Sequence, residues 1–233
     1  MAVITISREF GSGGLDIGQR VAKRLGYDFV DKRMVDGVFR QYGLTKFDDL
    51  YTSAPGILDL INYDNLLMVS MLNEIIGAVA KRGNVVILGR GGFAVLHDYA
   101  DVLNVRLEAP FSIRVQRIMA REGLPDVQTA EERVREDDTV HSKFVQMFYG
   151  QRWDDESQFG LIINTGSLAP ELAADQIVAA VRALEQKGYP ADATTTAAIE
   201  VDPVLADAIN KVCLLYTSPS PRDRTRSRMP SSA

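Results

Sequence analysis

The 233-residue sequence holds one cysteine, Cys213. A chain without a second thiol has no disulfide framework, no cysteine zinc site and no paired redox motif, a usage suited to a reducing cytoplasm. Long apolar runs are missing as well: none approaches the ~20 residues of a membrane-spanning helix, and the N-terminus enters a β-branched run with no charged-then-apolar leader. The expectation is a cytoplasmic protein with no membrane partner. Basic excess is lacking too, with 26 Lys and Arg against 31 Asp and Glu. That balance excludes a general nucleic-acid-binding surface, which would be basic. Internal repeats are absent.

The C-terminal stretch is of another kind. CLLYTSPSPRD, from Cys213 to Asp223, resembles the translation of a transposase-type sequencing-library adapter, and the closing SRMPSSA resembles its far end. We therefore expect 213–233 to be read-through rather than native sequence, to be set aside like a fusion scar; a genuine Ser/Pro/Arg-rich tail is the alternative. Arg222, Arg224, Arg226 and Arg228 against Asp223 give this tail +3, so the chain's −5 becomes −8 without it. The remaining length suits one α/β domain over residues 1–188, followed by an Ala/Thr/Asp/Pro-rich stretch, weakly helical from Pro203, that reads as a linker or the start of a second segment over 189–212.

What is present near the N-terminus organises the rest. Val3, Ile4 and Ile6 form a β-branched run, Gly11, Gly13 and Gly14 crowd a short loop, and Ile17, Val21, Ala22 and Leu25 recur at helical spacing before Gly26. That reads strand, tight loop, helix. A glycine loop opening a helix turns unpartnered N–H groups and the positive end of the helix dipole toward an anion such as phosphate. The regular phosphate-loop signature also requires Lys followed by Ser or Thr. Here Gly14 stands where the lysine would be, followed by Leu15 and Asp16. An ordinary glycine-rich turn is the competing reading.

Along the chain, Tyr27 to Val30 reads as a strand and Asp31 to Tyr42 as a helix stopped by Gly43; residues 43–55 read as a loop or flap. Asn65 to Arg82 reads as an amphipathic helix whose apolar face includes Leu66, Leu67, Met71, Leu72, Ile75 and Ile76, with its methionines in the core. Val85 to Leu88 is wholly apolar, as in a strand covered on both faces, and leads into Gly89-Arg90-Gly91-Gly92. A cation at the carboxyl end of a buried strand faces the crevice where open α/β sheets bind ligands. Val102 to Leu107 is a further strand. In the helix from Phe111 to Glu122, Arg114, Arg117 and Arg121 share one stripe. Thr129 and Glu132 have capping-box spacing for the next helix, on which His141 reads as a surface residue. Leu161 to Thr165 is the last strand, and Pro170 opens a helix that Gly188 follows.

Four pieces in this order, ITISREFGSGG, YDFVDKRMV, VVILGRGG and LIINTGS, resemble the cytidylate kinase-like family, a branch of the P-loop nucleoside monophosphate kinases, over Val3 to about Leu184. In that family the lysine-poor SRE-x-GSGG loop is the usual form. The resemblance implies a three-layer α/β/α sandwich with a parallel, P-loop NTPase-like sheet, and ATP-dependent phosphoryl transfer to a nucleoside monophosphate such as CMP or dCMP, assisted by Mg²⁺. Gly11, Ser12, Gly13 and Gly14 would hold the donor phosphates, with Asp16 near the metal. Arg8 would replace the absent lysine. Asp31, Arg33 and Arg90 would contact the acceptor, although for Asp31 and Arg33 a helix cap and a solvated arginine are equally open. The helix with Arg133 and Arg135 corresponds to the lid, whose arginines would close over the transferred group. Two departures stand out: the better-known cytidylate kinases have Asp at the position of Gly91, and many relatives place an arginine where Thr139, Val140 and His141 stand. A catalytically degenerate nucleotide-binding regulator, or a kinase for another small acceptor, is the alternative.

Overall fold

The computed structural model describes residues 2–44, 54–56, 59 and 62–217, with side chains to residue 212. Most of the expected 43–55 flap lies outside the described residues.

Five strands form one parallel sheet: β1 (Val3–Arg8), β2 (Asp28–Val30), β3 (Val85–Leu88), β4 (Val102–Glu108) and β5 (Leu161–Asn164), in the order β2-β3-β1-β4-β5. Central β1 pairs on one side with β3, Ile4 opposite Val86, and on the other with β4, Ile4 opposite Leu103. Its short β-branched run is buried throughout, because helices cover both of its faces.

The period-2 alternation of the strands sorts the core into two layers. Ile4, Ile6, Val86, Val105 and Leu107 point toward α1 (Gly14–Leu25) and the helix Pro170–Lys187, where Ile17, Val21, Ile177 and Val181 meet them. Val3, Val85 and Ile87 point the opposite way, toward α2 (Lys32–Gln41) and α3 (Tyr63–Lys81), packing with Val38, Phe39, Leu72 and Ile76. The result is a three-layer α/β/α sandwich. After β3 comes the short α4 (Gly92–Val95), and after β4 a helical pair, α5 (Phe111–Glu122) and α6 (Val127–Tyr149), with its own small core of Val115, Ile118, Ala130 and Val134. Pro170–Lys187 is α7 and Pro203–Thr217 is α8.

Three expectations are corrected. Asp126 caps α6, its carboxylate accepting from Thr129 N at 2.7 Å, so Thr129 lies within the first turn and the Thr129–Glu132 capping box does not form. Leu66 and Leu67 are about half exposed, while Met68 takes the buried position, one turn before Leu72 on the buried face of α3. Residues 189–212 are not a free linker. Thr196 is buried and bonds both oxygens of the Asp101 carboxylate through its N–H and hydroxyl, at 2.8 and 2.6 Å. Leu205, Ile209 and Val212 then join the α2–α3 core from one face of α8, a helix whose backbone continues across residue 213.

Candidate functional site: the cleft at the carboxyl ends of β1 and β3

The loop between β1 and α1 is fixed by its glycines. Gly11 and Gly13 have φ of +87° and +85°, a region that side chains disfavour, and a Cβ on Gly11 would lie 3.0–3.1 Å from the Arg114 main chain and Cβ. Gly13 caps α1 and offers no side-chain acceptor, so the N–H groups of the first turn, which a helix leaves without internal partners, are turned to the cleft lined by Gly11, Gly13, Gly14, Leu15 and Asp16.

Ser12 is different. It is fully buried; its hydroxyl donates to Glu9 O at 2.8 Å, and its carbonyl accepts from Thr165 Oγ1 at 2.8 Å. Its side chain shapes the loop from behind and does not line the cleft. The back of the loop is held the same way by later parts of the chain. Phe10 N donates to Asp138 Oδ1 at 3.1 Å, Arg114 Nη1 donates to Phe10 O at 3.2 Å, and Arg117 Nη1 donates to Gly11 O at 3.3 Å. Arg114 also pairs with Asp138 at 2.6 Å and with Glu9 at 3.3 Å. Burial pushes the Glu9 carboxyl above its usual range, against the Ala109 N–H and the Arg114 charge. Two arginines of the stripe on α5, Arg114 and Arg117, thus brace the loop, whereas Arg121 lines the cleft.

The cleft has a volume of about 770 Å³. Arg8 runs from the end of β1 across Gly14 and on to Gly89, occupying the lysine-free corner. Arg90 is 7% exposed, with Nη2 3.8 Å from Asp36 Oδ1. It sits at φ +56° between Gly89 and Gly91, both also positive, a conformation costing a non-glycine residue about 1–3 kcal/mol and typical of functional turns. A Cβ on Gly91, itself at φ +69°, would fall 2.6 Å from the Tyr149 ring, so the packing here calls for glycine. Asp31 caps α2, accepting from Arg33 N and Met34 N at 2.9 and 3.3 Å, and with Lys32 and Arg33 lines the opposite wall. Asp16 lines the rim and pairs with Arg20 at 2.9 Å.

From α6, Arg133 lines the cleft and Arg135 does not. Two residues apart on a helix means about 200° of arc, and the two side chains point to different places. Arg133 and Arg121 lie over Phe10, 4.7 and 4.8 Å from its centroid. Arg135 instead covers Phe111 at 4.2 Å and approaches Glu131 at 3.6 Å. His141, expected at the surface, lines the cleft one turn after Asp137, whose Oδ2 is 3.0 Å from its Nδ1. Burial would raise the Asp137 carboxyl, but the His141 hydrogen bond and the charges of His141, Arg8 and Arg133 outweigh it and hold it below its ordinary value. Among the described residues no three His, Cys, Asp or Glu cluster as metal ligands, and no helix is long and apolar enough to cross a membrane.

A cleft with a glycine loop on one strand end and a buried arginine on the next has clear relatives. The chain is 30% identical over 183 residues to a cytidylate kinase of Ignicoccus hospitalis, covering 76% of this chain and 97% of that one. It is 33% identical over 169 residues to a cytidylate kinase of Sulfurisphaera tokodaii, covering 72% and 89%. A solved structure of an uncharacterized protein from Eubacterium ventriosum, 21% identical, shares the fold with a TM-score of 0.62 over 78% of this chain and 99% of that one. The sequence model of the cytidylate kinase-like family matches residues 3–167, and the chain belongs to that family.

Proposed function

We propose that the protein transfers the γ-phosphoryl group of ATP to a nucleoside monophosphate, with CMP or dCMP as acceptor. The observation that carries this reading is the position of Arg8, which packs against both Gly14 of the donor loop and Gly89 beside Arg90. One cation therefore stands between a helix N-terminus suited to donor phosphates and a buried arginine suited to the acceptor phosphate. The relatives named cytidylate kinase support the choice of acceptor.

In this reading the N–H groups of Gly13, Gly14 and the first turn of α1 bind the donor phosphates, and Arg90 orients the acceptor. An acceptor phosphate oxygen forms the new bond to the γ-phosphorus as the bond to the β-phosphate oxygen breaks, releasing ADP. Arg8 and Arg133 stabilise the charge spread over the transferred group, which is most of what phosphoryl transfer asks of a protein. Magnesium, when bound, would neutralise charge on the donor phosphates; no acidic cluster forms among the described residues, so it would arrive as the ATP complex held mainly by phosphate and water, with Asp16 a carboxylate at the loop rim.

The test is coupled ADP release with a panel of nucleoside monophosphates. CMP or dCMP should give the highest kcat/KM. Tight ATP binding without turnover of any monophosphate would favour a nucleotide-binding regulator instead.

A further inference from the structure

Three consecutive carbonyls of the donor loop are held from behind. Phe10 O accepts from Arg114 Nη1 at 3.2 Å, Gly11 O from Arg117 Nη1 at 3.3 Å and Ser12 O from Thr165 Oγ1 at 2.8 Å. In a trans peptide the carbonyl and the N–H of the next residue point opposite ways. Drawing the Ser12 carbonyl inward to Thr165 therefore turns the Gly13 N–H outward, on the side where Gly13 lines the cleft. The hold on Phe10 O does the same for the N–H of Gly11, another lining residue.

Of the three holders, Thr165 is the uncharged one, with a single proton to give. It lies directly after β5 and is 3% exposed. Its Oγ1 accepts from Arg117 Nη1 at 3.1 Å. The Glu108 carbonyl is also 3.1 Å from Oγ1 but already accepts from Thr165 N at 2.8 Å, so the hydroxyl proton goes to Ser12 O, the shorter contact. Ser12 cannot supply this hold itself, because its own hydroxyl donates to Glu9 O.

The hold matters because the loop's own chain does not fix this peptide. Gly13 sits at φ +85°, and glycine populates either sign of φ about as readily, so the plane between Ser12 and Gly13 is free to flip. Flipped, it would aim a carbonyl oxygen at the cleft, which repels a phosphate oxygen where an N–H binds one. The flipped state would also leave the Thr165 hydroxyl without its partner.

We propose that Thr165 is a positioning residue for donor binding: its hydroxyl holds the Ser12–Gly13 peptide in the orientation that gives the Gly13 N–H to the donor phosphates. The inference rests on the kinase reading above for the identity of the donor. It assigns to the end of β5 a share of the phosphate site that the glycine loop alone does not determine.

The experiment compares the parent with Thr165→Val, which keeps the side-chain shape and removes the proton, and Thr165→Ser, which keeps the proton. Calorimetry measures binding of ATP, CMP and inorganic tripolyphosphate. Thr165→Val should bind ATP and tripolyphosphate about tenfold more weakly, the scale of one hydrogen bond to a charged group, with CMP affinity within twofold of the parent. Thr165→Ser should stay within threefold of the parent for all three. A valine variant equal to the parent, a serine variant as weak as the valine one, or equal losses for ATP and CMP would overturn the proposal. If the valine variant does not fold, the parent decides by NMR: tripolyphosphate should move the amide proton of Gly13 farther than that of Gly18 in the body of α1, and an unmoved Gly13 amide would overturn the contact. Tripolyphosphate also separates this inference from the kinase reading. If the parent turns over no monophosphate, that reading fails, yet the valine loss in tripolyphosphate binding and its rescue by serine should still be seen. A parent that binds no tripolyphosphate would overturn the inference itself.

Discussion

The side chain of Arg8 fills the volume that any side chain at Gly14 would need: a Cβ there would lie 2.8 Å from Arg8 Cγ and 3.2 Å from Arg8 Cβ. In the proposed kinase reading Arg8 supplies the cation that Gly14 lacks, and the two positions compete for one volume. Restoring the lysine by Gly14→Lys should therefore destabilise the protein by about 1–3 kcal/mol, the usual cost of overpacking, and lower turnover. Adding Arg8→Ala should recover the stability. A double-mutant cycle on chemical denaturation checks this; additive effects would separate the two positions.

Arg90 is buried with its guanidinium near Asp36 and its backbone in the left-handed region. Arg90→Ala should weaken CMP binding by about 1.5–3 kcal/mol, the scale of hydrogen bonds to charged groups, while ATP binding changes little. Titrating each nucleotide separately decides it. Equal losses would move Arg90 out of the acceptor site.

Arg133 and Arg135 part company around α6. Arg133→Ala should lower kcat by ~10-fold or more, because it removes a cation from the cleft. Arg135→Ala should leave kcat within twofold, since its guanidinium lies over Phe111. Steady-state turnover of the two variants, side by side, is the measurement.

Truncation separates native packing from the stretch that resembles an adapter. A chain ending at Asp202 loses buried Leu205, Ile209 and Val212, each worth about 1.5–3 kcal/mol of burial, and should melt ~10 °C or more below the parent. A chain ending at Val212 should match the parent in melting and ATP binding. A large drop from the second truncation would make 213–233 a structural part of the protein.

The Asp137 carboxyl is held below its ordinary value of 3.8. A depressed carboxyl contributes stability that is complete above the unfolded value and is lost as pH falls through the folded one. The melting-temperature advantage of the parent over Asp137→Asn should therefore shrink as pH falls below about 4. A difference that does not change down to pH 2.5 would mean that Asp137 has no charged partner.

The elements were legible because their signals are local. The helix Phe111–Glu122 and strand Val85–Leu88 fall where the periodicity places them, and Gly26, Gly123 and Gly150 close helices at positive φ as C-caps do. Composition alone says little about 189–202, whereas the weakly helical stretch from Pro203 is α8, with Leu205, Ile209 and Val212 at helical spacing on its buried face. Arg135 could have been separated from Arg133 by counting arc. His141 and Ser12 could not have been placed that way. His141 owes its position to a tryptophan that Arg106 holds from another strand, and Ser12 turns inward to Thr165, 153 residues away.

That last contact bears on how the protein is made. The glycine loop is encoded within the first fourteen residues, but Arg114, Asp138 and Thr165 give it its shape, and β1 finds its two neighbours only at β3 and β4. At about 5–20 residues per second, roughly 8–30 s of synthesis pass between the first glycine and the threonine that closes behind it. During the early part of that interval β1 is an apolar strand with two open edges, the form of chain most exposed to wrong pairing. The nascent loop has no finished cradle, so nucleotide can help only a chain made past Thr165.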